Sequence, residues 1–268
     1  MKIKSRSFGT FYLSLFFVVL YLPVLSVILY SFNASSSTAQ WTGLTLDWYR
    51  ILFRDRVIAE AFKVSIQVAF LTALLSAVLG TATAIISMSV TKRMKQTIQG
   101  VMVLPLIIPE IALGVSLLMF FNALNLPLGH LTLVLSHSLF CVPYVYVMVQ
   151  LRLQEINKSI LESARDLGAT RWQMIKTIIL PLVTPSIITS SLLALAMSLD
   201  DVIISTFMSG PRSTTLPVHI FSMMRVGVTP KVNALCTMIL VGTFFLVGLS
   251  QFVGKGKNKK GGVINAQI

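Results

Sequence analysis

Three acidic side chains lie within or beside long apolar stretches of this sequence: Glu110, Asp200 and Asp201. A charged side chain at the centre of a bilayer costs about 2.5–3.5 kcal/mol on insertion scales, so acids in such positions are candidates for function. Carboxylates attract cations, and aromatic faces add cation–π contacts of about 0.5–2 kcal/mol each. Tyr144 and Phe207 are candidates for such faces, with helix packing as the alternative. These residues predict a pathway for a cation without identifying that cation.

The acids have alternative roles that the sequence leaves open. Glu110 follows Pro109 within an apolar stretch, and a proline there frees backbone groups and can kink a helix toward a cavity. Asp200 and Asp201 either line the mouth of a pathway or cap a break after the fifth apolar stretch.

Other kinds of chemistry leave no recognisable pattern in the sequence. The G-x-x-x-x-G-K-[ST] run of a nucleotide site does not occur, so a nucleotide would have to bind another chain. We interpret His130, His137 and His219, which are widely separated, as polar packing or interface residues rather than metal ligands. A nucleophile–base pair is not recognisable either. We therefore expect a protein that is not an enzyme and that holds no cofactor or metal of its own.

Composition indicates a membrane protein with several spans. Of the 268 residues 55% are hydrophobic and 12% charged, and the mean hydropathy is +0.82. A soluble domain of this length could not keep so much apolar surface out of water. The net charge of +13 does not predict a nucleic-acid partner, because the charges lie in short runs between apolar stretches, where they set the orientation of a membrane protein.

Six apolar stretches approach or exceed the roughly twenty residues that a helix needs to cross a bilayer. They are residues 8–31, 64–90, 100–121, 131–151, 182–208 and 232–253. Lipid offers no partners to backbone groups, so only helices or a closed barrel can span it. The predicted fold class is therefore all-α, a single polytopic transmembrane domain with six helices.

Lysine and arginine predict the orientation of these spans. With the N-terminus inside the cell, most basic residues lie on the cytoplasmic side, and six spans return the C-terminus to that side. The basic tail 254–268 then lies near anionic lipid or acts as a topology anchor. The first outer loop, 32–62, places Trp41, Trp48 and Tyr49 at the headgroup level or in a contact surface for an external partner.

The cytoplasmic loop 152–181 differs from the other connections. Its apolar residues recur at helical spacing up to Leu167, and Gly168 then ends or turns the helix. Thr170 is placed to cap a second short helix, and Pro181 introduces the fifth span. This pattern predicts an exposed helix–turn–helix for a soluble partner, with an ordinary amphipathic interfacial loop as the alternative.

The same loop resembles a known signature. Glu162-Ser163-Ala164, three residues, Gly168, nine residues, and then Ile178-x-Leu180-Pro181 are similar to the EAA motif of ABC-importer permease subunits. The one departure is Ser163, where that motif usually has alanine. Further segments resemble the permease subunits of spermidine/putrescine importers over nearly the whole chain. They include Asp47-Trp48-Tyr49, Pro109-Glu110, Ser198-Leu199-Asp200-Asp201-Val202, Gly210-Pro211 and Leu216-Pro217.

This resemblance implies a type I importer permease fold in a bacterial inner membrane. Two different but related permease subunits would form the pathway, an external binding protein would deliver the polyamine, and a cytoplasmic ATPase homodimer would bind ATP and magnesium. The ATPase-coupling residues implied are Glu162, Ser163, Ala164, Asp166, Leu167, Gly168 and Pro181. Ala164 and Leu167 would fill a groove of the ATPase, and Glu162 would stabilise a helix N-terminus or pair with a base across the interface.

Other transporter classes remain as alternatives. A permease of the same kind could carry another small solute, such as an organic cation or an iron complex. A secondary transporter driven by an ion gradient is less favoured, because it would require an internal inverted repeat that the sequence does not show, and it has no use for a coupling loop.

Overall fold

The computed structural model describes residues 3–244, which are mostly helical. Among them there is no strand beyond a single antiparallel bridge between Asn33 and Leu44. The fold class is therefore all-α, as predicted. The helices in chain order are α1 Ile3–Tyr30, α2 Asp47–Arg54, α3 Arg56–Ile86, α4 Lys92–Ile107, α5 Glu110–Ala123, α6 His130–Glu155, α7 Lys158–Asp166, α8 Arg171–Met174, α9 Leu180–Asp200, α10 Ile203–Met208, α11 Leu216–Val226 and α12 Pro230–Phe244.

Four described helices are long and apolar enough to cross a membrane alone, and a bent pair makes a fifth if it is one span. The four are Tyr12–Tyr30, Arg56–Ile86, His130–Glu155 and Arg171–Asp200. The predicted count of six is not fully reached within residues 3–244. The predicted sixth span, 232–253, coincides with α12 as far as Phe244, and its remainder lies outside the described residues together with the basic tail 254–268.

The predicted third span, 100–121, lies in the bent pair, and the bend is at Pro109, the proline that was expected to be able to kink it. The chain bends by 105° between α4 and α5, at Ile108 and Pro109. Ile108 is extended (φ −70°, ψ 131°), because the ring of a following proline disfavours the helical region for the residue before it. Glu110 is consequently the first residue of α5 rather than a residue in the middle of a continuous helix.

The fifth predicted span, 182–208, also has different limits. A continuous helix runs over the 30 residues Arg171–Asp200, so Pro181 lies inside it instead of introducing it. A π-helical turn at Ile175–Ile179, in which the N–H of Leu180 donates to the carbonyl of Ile175, precedes this proline. A π-helical turn is wider than an α-helical one, so it interrupts the regular hydrogen bonds of the helix backbone. We infer that this wide turn accommodates Pro181, so that the helix continues through the proline. The remaining residues of the prediction form the separate helix α10.

By backbone contacts the described chain forms two compact units, one of residues 57–221 and one of the residues before and after them. In the unit 57–221, α6 packs against α4, α9 and α10, and α10 packs against α5. Helix α3 buries small residues at spacings of three and four, among them Ala69, Ala73, Ser76 and Gly80. A methyl group on Gly80 would lie 2.8 Å from Val145 of α6, which shows how closely these two helices approach.

The other unit contains an ordered segment between α1 and α2. Asn33 is buried, and its amide nitrogen donates to two backbone carbonyls while its Oδ1 accepts from two backbone N–H groups between residues 35 and 42. Trp48 donates its indole N–H to the carbonyl of Asn33, and the hydroxyls of Tyr49 and Ser31 lie 2.7 Å apart. Trp48 and Tyr49 are thus half-buried within the unit, whereas Trp41 is exposed.

Gly210 lies where no side chain can fit. A methyl group there would lie 2.2 Å from the backbone oxygen of Leu128, whereas one on Gly100 would meet no atom within 4 Å. We expect Gly210→Ala to lower the free energy of unfolding by about 1–3 kcal/mol, the usual cost of overpacking. The measurement is the thermal unfolding midpoint of the purified protein in detergent, with Gly100→Ala as the matched control. An unchanged midpoint for Gly210→Ala would contradict this close contact.

Candidate functional site

The first candidate site is the segment 158–174, here called the tip, which connects α6 to the long helix Arg171–Asp200. Helix α7 ends in a Schellman motif. The N–H of Gly168 donates to the carbonyl of Arg165 at 2.8 Å, and the N–H of Ala169 donates to that of Ala164 at 3.0 Å. Gly168 has φ +82°, a conformation that favours glycine. The predicted glycine turn is therefore present in the tip.

Both helices of the tip are capped at their N-termini. The side chain of Asn157 accepts from the N–H of Ser159 at the start of α7. Thr170 and Gln173 form a capping box at the start of α8, in which each side chain accepts a hydrogen bond from the other residue's backbone N–H. These caps satisfy backbone N–H groups that have no partner within the helix, so they stabilise the N-terminal ends of both helices of the tip.

Apolar side chains anchor the tip to the core of its unit. Leu161 in the tip, with Ile156 and Ile175 on either side of it, packs against a buried cluster that includes Val149 of α6 and Val183 of α9. Arg152, three residues before α6 ends, donates to the carbonyl of Leu182 at 3.3 Å and pairs with Glu155 at 2.6 Å. The tip and its flanking residues are therefore held by contacts with both α6 and α9.

The free face of the tip carries large apolar side chains. Leu167 is 89% exposed and Trp172 is 71% exposed, in a segment otherwise rich in charge. An apolar side chain exposed this far at a rigid turn is typical of a contact with another chain. Of the predicted coupling residues, Glu162, Ser163, Asp166 and Gly168 are exposed with Leu167, and Ala164 is half-buried.

Two of the predicted coupling residues have surroundings other than those expected. Glu162 is the fifth residue of α7, beyond the first turn, so it is poorly placed to stabilise that helix N-terminus. Its alternative role, pairing with a base on a partner, stays a prediction. Pro181 lies in the long helix beyond the tip.

The second candidate site is the break between α9 and α10, which contains Asp201. The carboxylate of Asp201 accepts from the N–H of Ser205 at 2.6 Å and of Ile204 at 3.4 Å. Its Oδ2 also lies 3.3 Å from Nε2 of His137, an imidazole with no exposed surface. The structure therefore supports the capping role for Asp201, and its side chain is directed into the helix bundle.

The remaining predicted pathway residues occupy different surroundings. Asp200 is the last residue of α9 and Glu110 the first of α5; both are exposed, and neither forms an ion pair with a described residue. Phe207 lies against Gly114, one turn after Glu110, because a methyl group on that glycine would be 2.6 Å from Cδ2 of the ring. Tyr144 is half-buried on α6. Packing thus accounts for the position of Phe207.

The sequence did not predict the polar cluster around the break. His137 Nδ1 lies 2.6 Å from Oγ of Ser198, and its Nε2 lies 3.0 Å from Oγ of Ser205. The interpretation of His137 as a polar packing residue agrees with this burial. The spacing of Ser198, Asp201 and Ser205 by three and four residues was the available signal, since in a continuous helix it would place them on one face.

An open crevice of about 380 Å³ lies beside the end of α6, next to the tip. Its lining residues are Met148, Leu151, Arg152, Glu155, Pro185, Ser186 and Thr189. None of the predicted pathway acids is among them. The part of the chain that the structure describes contains no cluster of three or more side chains suited to a metal ion.

The chain matches the family model described as binding-protein-dependent transport system inner membrane component over residues 76–257. It is 38% identical to the spermidine/putrescine transport system permease protein PotC of Haemophilus influenzae, over 90% of this chain and 94% of that protein. It is 40% identical to the putrescine transport system permease protein PotI of Escherichia coli K12, over 87% and 85% of the two chains.

Solved structures show the same fold at low sequence identity. The chain is similar to a chain of a bacterial ABC transporter that imports the acidic polysaccharide alginate, with a TM-score of 0.75 and 13% identity, over 94% and 98% of the two chains. It is also similar to a chain of the MetNI methionine ABC transporter, with a TM-score of 0.59 and 19% identity, over 81% and 99%.

Proposed function

The chain belongs to the family of inner-membrane components of binding-protein-dependent transport systems, and from this premise we propose that it is a permease subunit of an ATP-driven importer of spermidine or putrescine. The observation that carries the proposal is the tip. A capped helix–glycine turn with an exposed leucine lies at the EAA-like sequence and is anchored to the long helices of the unit 57–221. Such a tip fits the groove of a soluble partner.

The proposed importer function implies the partners of this chain. The tip docks on a cytoplasmic ATPase dimer, which binds ATP and magnesium, and both termini of this chain lie on that side of the membrane. An external binding protein delivers the solute, and a second, related permease subunit completes the pathway. Leu167 enters the ATPase groove, while the exposed acids of the tip, Glu162 and Asp166, face its rim.

Two acids supply the attraction for a polycation. Glu110 and Asp200 are exposed at helix ends within the apolar part of the chain, without a cationic partner among the described residues. A polyamine carries several separated ammonium groups, and single carboxylates at successive positions can bind them in turn. Weak sites suit a pathway, because the solute has to leave each of them.

The proposal is tested by uptake into vesicles that hold this chain with its partner subunits. Labelled spermidine and putrescine should enter only when ATP and the binding protein are both present. If the binding protein stimulates ATP hydrolysis but neither polyamine moves, the importer class stands and the substrate assignment is wrong. Uptake that follows an ion gradient without ATP would overturn the importer class itself.

Neutralising the pathway acids should slow transport with little effect on docking of the ATPase. We expect Glu110→Gln and Asp200→Asn each to lower the uptake rate about threefold or more, a loss of roughly 0.7 kcal/mol in binding of the cation along the path. Glu60→Gln, at an exposed acid near the start of α3, is the matched control. Equal rates in the pathway variants and the control would remove these acids from the pathway.

A further inference from the structure

We propose that His137 is a positioning residue that clamps the break between α9 and α10, so that both helices move with α6 during transport. The proposal rests on the importer function proposed above. The imidazole of His137 has no exposed surface. Its Nδ1 meets Ser198 on α9 at 2.6 Å, and its Nε2 meets Ser205 on α10 at 3.0 Å. One side chain of α6 therefore holds the chain on both sides of the break.

Imidazole is well suited to this position. Its two nitrogens lie on different edges of a flat ring, and in the neutral form one donates while the other accepts. We assign the proton to Nε2, because the carboxylate of Asp201, 3.3 Å away, can only accept. Ser198 then donates to Nδ1. Every polar group of the cluster has a partner in this arrangement, which buried polar groups require.

Contacts on either side make the clamp part of a longer seam along α6. Toward the tip, Cys141 Sγ lies 3.6 Å from the carbonyl of Ala194 on α9. In the other direction, the hydroxyl of Thr132 lies 3.3 Å from the carbonyl of Met208 at the end of α10 and 2.9 Å from that of Gly129. His137 lies between these contacts, at the level of the break.

The continuity of the helices gives the clamp its role. The helix that ends at Asp200 begins at Arg171 in the tip, and α6 ends at Glu155 beside the tip, so displacement of the tip reaches the break through both helices. At Asp201 the backbone is extended, with φ −67° and ψ 125°. Without the clamp, α10 would be free to move independently of α9 at this break. Motion driven by the ATPase would then not reach the residues beyond Asp200. The clamp therefore sets how much solute moves for each ATP.

The test compares clamp variants with matched serine variants in proteoliposomes holding the whole importer and its binding protein. The clamp variants are Ser198→Ala, Ser205→Ala and His137→Leu. The controls are Ser190→Ala and Ser138→Ala, because these buried hydroxyls donate only within their own helices. The quantity measured is labelled spermidine taken up per ATP hydrolysed.

We expect this ratio to fall about threefold or more in each clamp variant, the scale of one lost buried hydrogen bond, and to stay unchanged in the controls. His137→Gln should recover part of the loss, since an amide both donates and accepts. If His137→Leu does not assemble, the two serine variants decide the question, because each removes a single hydroxyl. An unchanged ratio, or an equal fall in Ser190→Ala, would overturn the clamp.

A second readout separates the clamp from the choice of substrate. Spin labels at the exposed positions Thr206 on α10 and Leu151 on α6 report whether the two helices move together when ATP is added. The clamp predicts one narrow distance distribution in the parent protein and a broader one in Ser205→Ala. Identical distributions in the two would overturn the clamp. A parent protein that moves neither polyamine refutes the substrate assignment, and these distances still decide the clamp.

Discussion

Replacement of Gly168 by proline is expected to abolish ATP-dependent uptake while the protein still inserts into the membrane. Gly168 closes the Schellman motif of the tip with φ +82°, and its N–H donates to the backbone carbonyl of Arg165. Proline has no N–H and holds φ near −65°, so the variant cannot form this turn. With a cost of about 3 kcal/mol for the docked conformation, we expect uptake to fall on the order of a hundredfold.

The control for this variant is Gly168→Asn. Asparagine adopts the left-handed conformation more readily than most residues. A Cβ atom added to Gly168 would meet no other atom within 4 Å. We expect its uptake to stay within about threefold of the parent, because the turn is strained but kept. Uptake is measured as labelled polyamine in vesicles at matched amounts of inserted protein. Normal uptake by Gly168→Pro would show that the turn is not the coupling element.

The second large effect is expected for Leu167→Asp. Leu167 is 89% exposed in this chain, and we propose that it is buried in the ATPase groove. The variant loses about 1.5–3 kcal/mol of apolar burial and adds a carboxylate that must lose its water. It also places a negative charge at the C-terminal end of α7, where the helix dipole disfavours one. We expect affinity for the ATPase to fall by about a hundredfold or more.

The measurement is binding of the purified ATPase to the detergent-solubilised permease, together with stimulation of ATP hydrolysis by the binding protein. Leu167→Met keeps an apolar side chain of similar volume and should bind as the parent does. Leu44→Asp introduces the same charge at another leucine, 78% exposed and outside the tip, and should leave the affinity unchanged. If Leu167→Asp binds the ATPase normally, Leu167 is not the anchor.

Local sequence signals predicted the tip well for a physical reason. A glycine at the end of an amphipathic helix and a threonine at the start of the next one act through hydrogen bonds within a few residues. Gly168 and Thr170 accordingly have the roles that the sequence predicted. The break at Pro109 arises from equally local forces, and the steric effect of proline on Ile108 was available as a signal. The sequence indicated that Pro109 can kink the stretch 100–121, and the structure shows the size of the bend, 105°.

The sequence by itself determined that this chain is an all-helical membrane protein, that it carries an exposed helix–glycine turn, and that it resembles an importer permease. These conclusions depend on composition and on short-range spacing. The tertiary structure placed the carboxylate of Asp201, which caps the break through nearby backbone N–H groups, beside the imidazole of His137, 64 positions away along the chain. It likewise placed Phe207 on Gly114 and joined Ser198 to Ser205 through one imidazole. Contacts of this kind form only when distant helices pack together, and no local pattern specifies which helices those are.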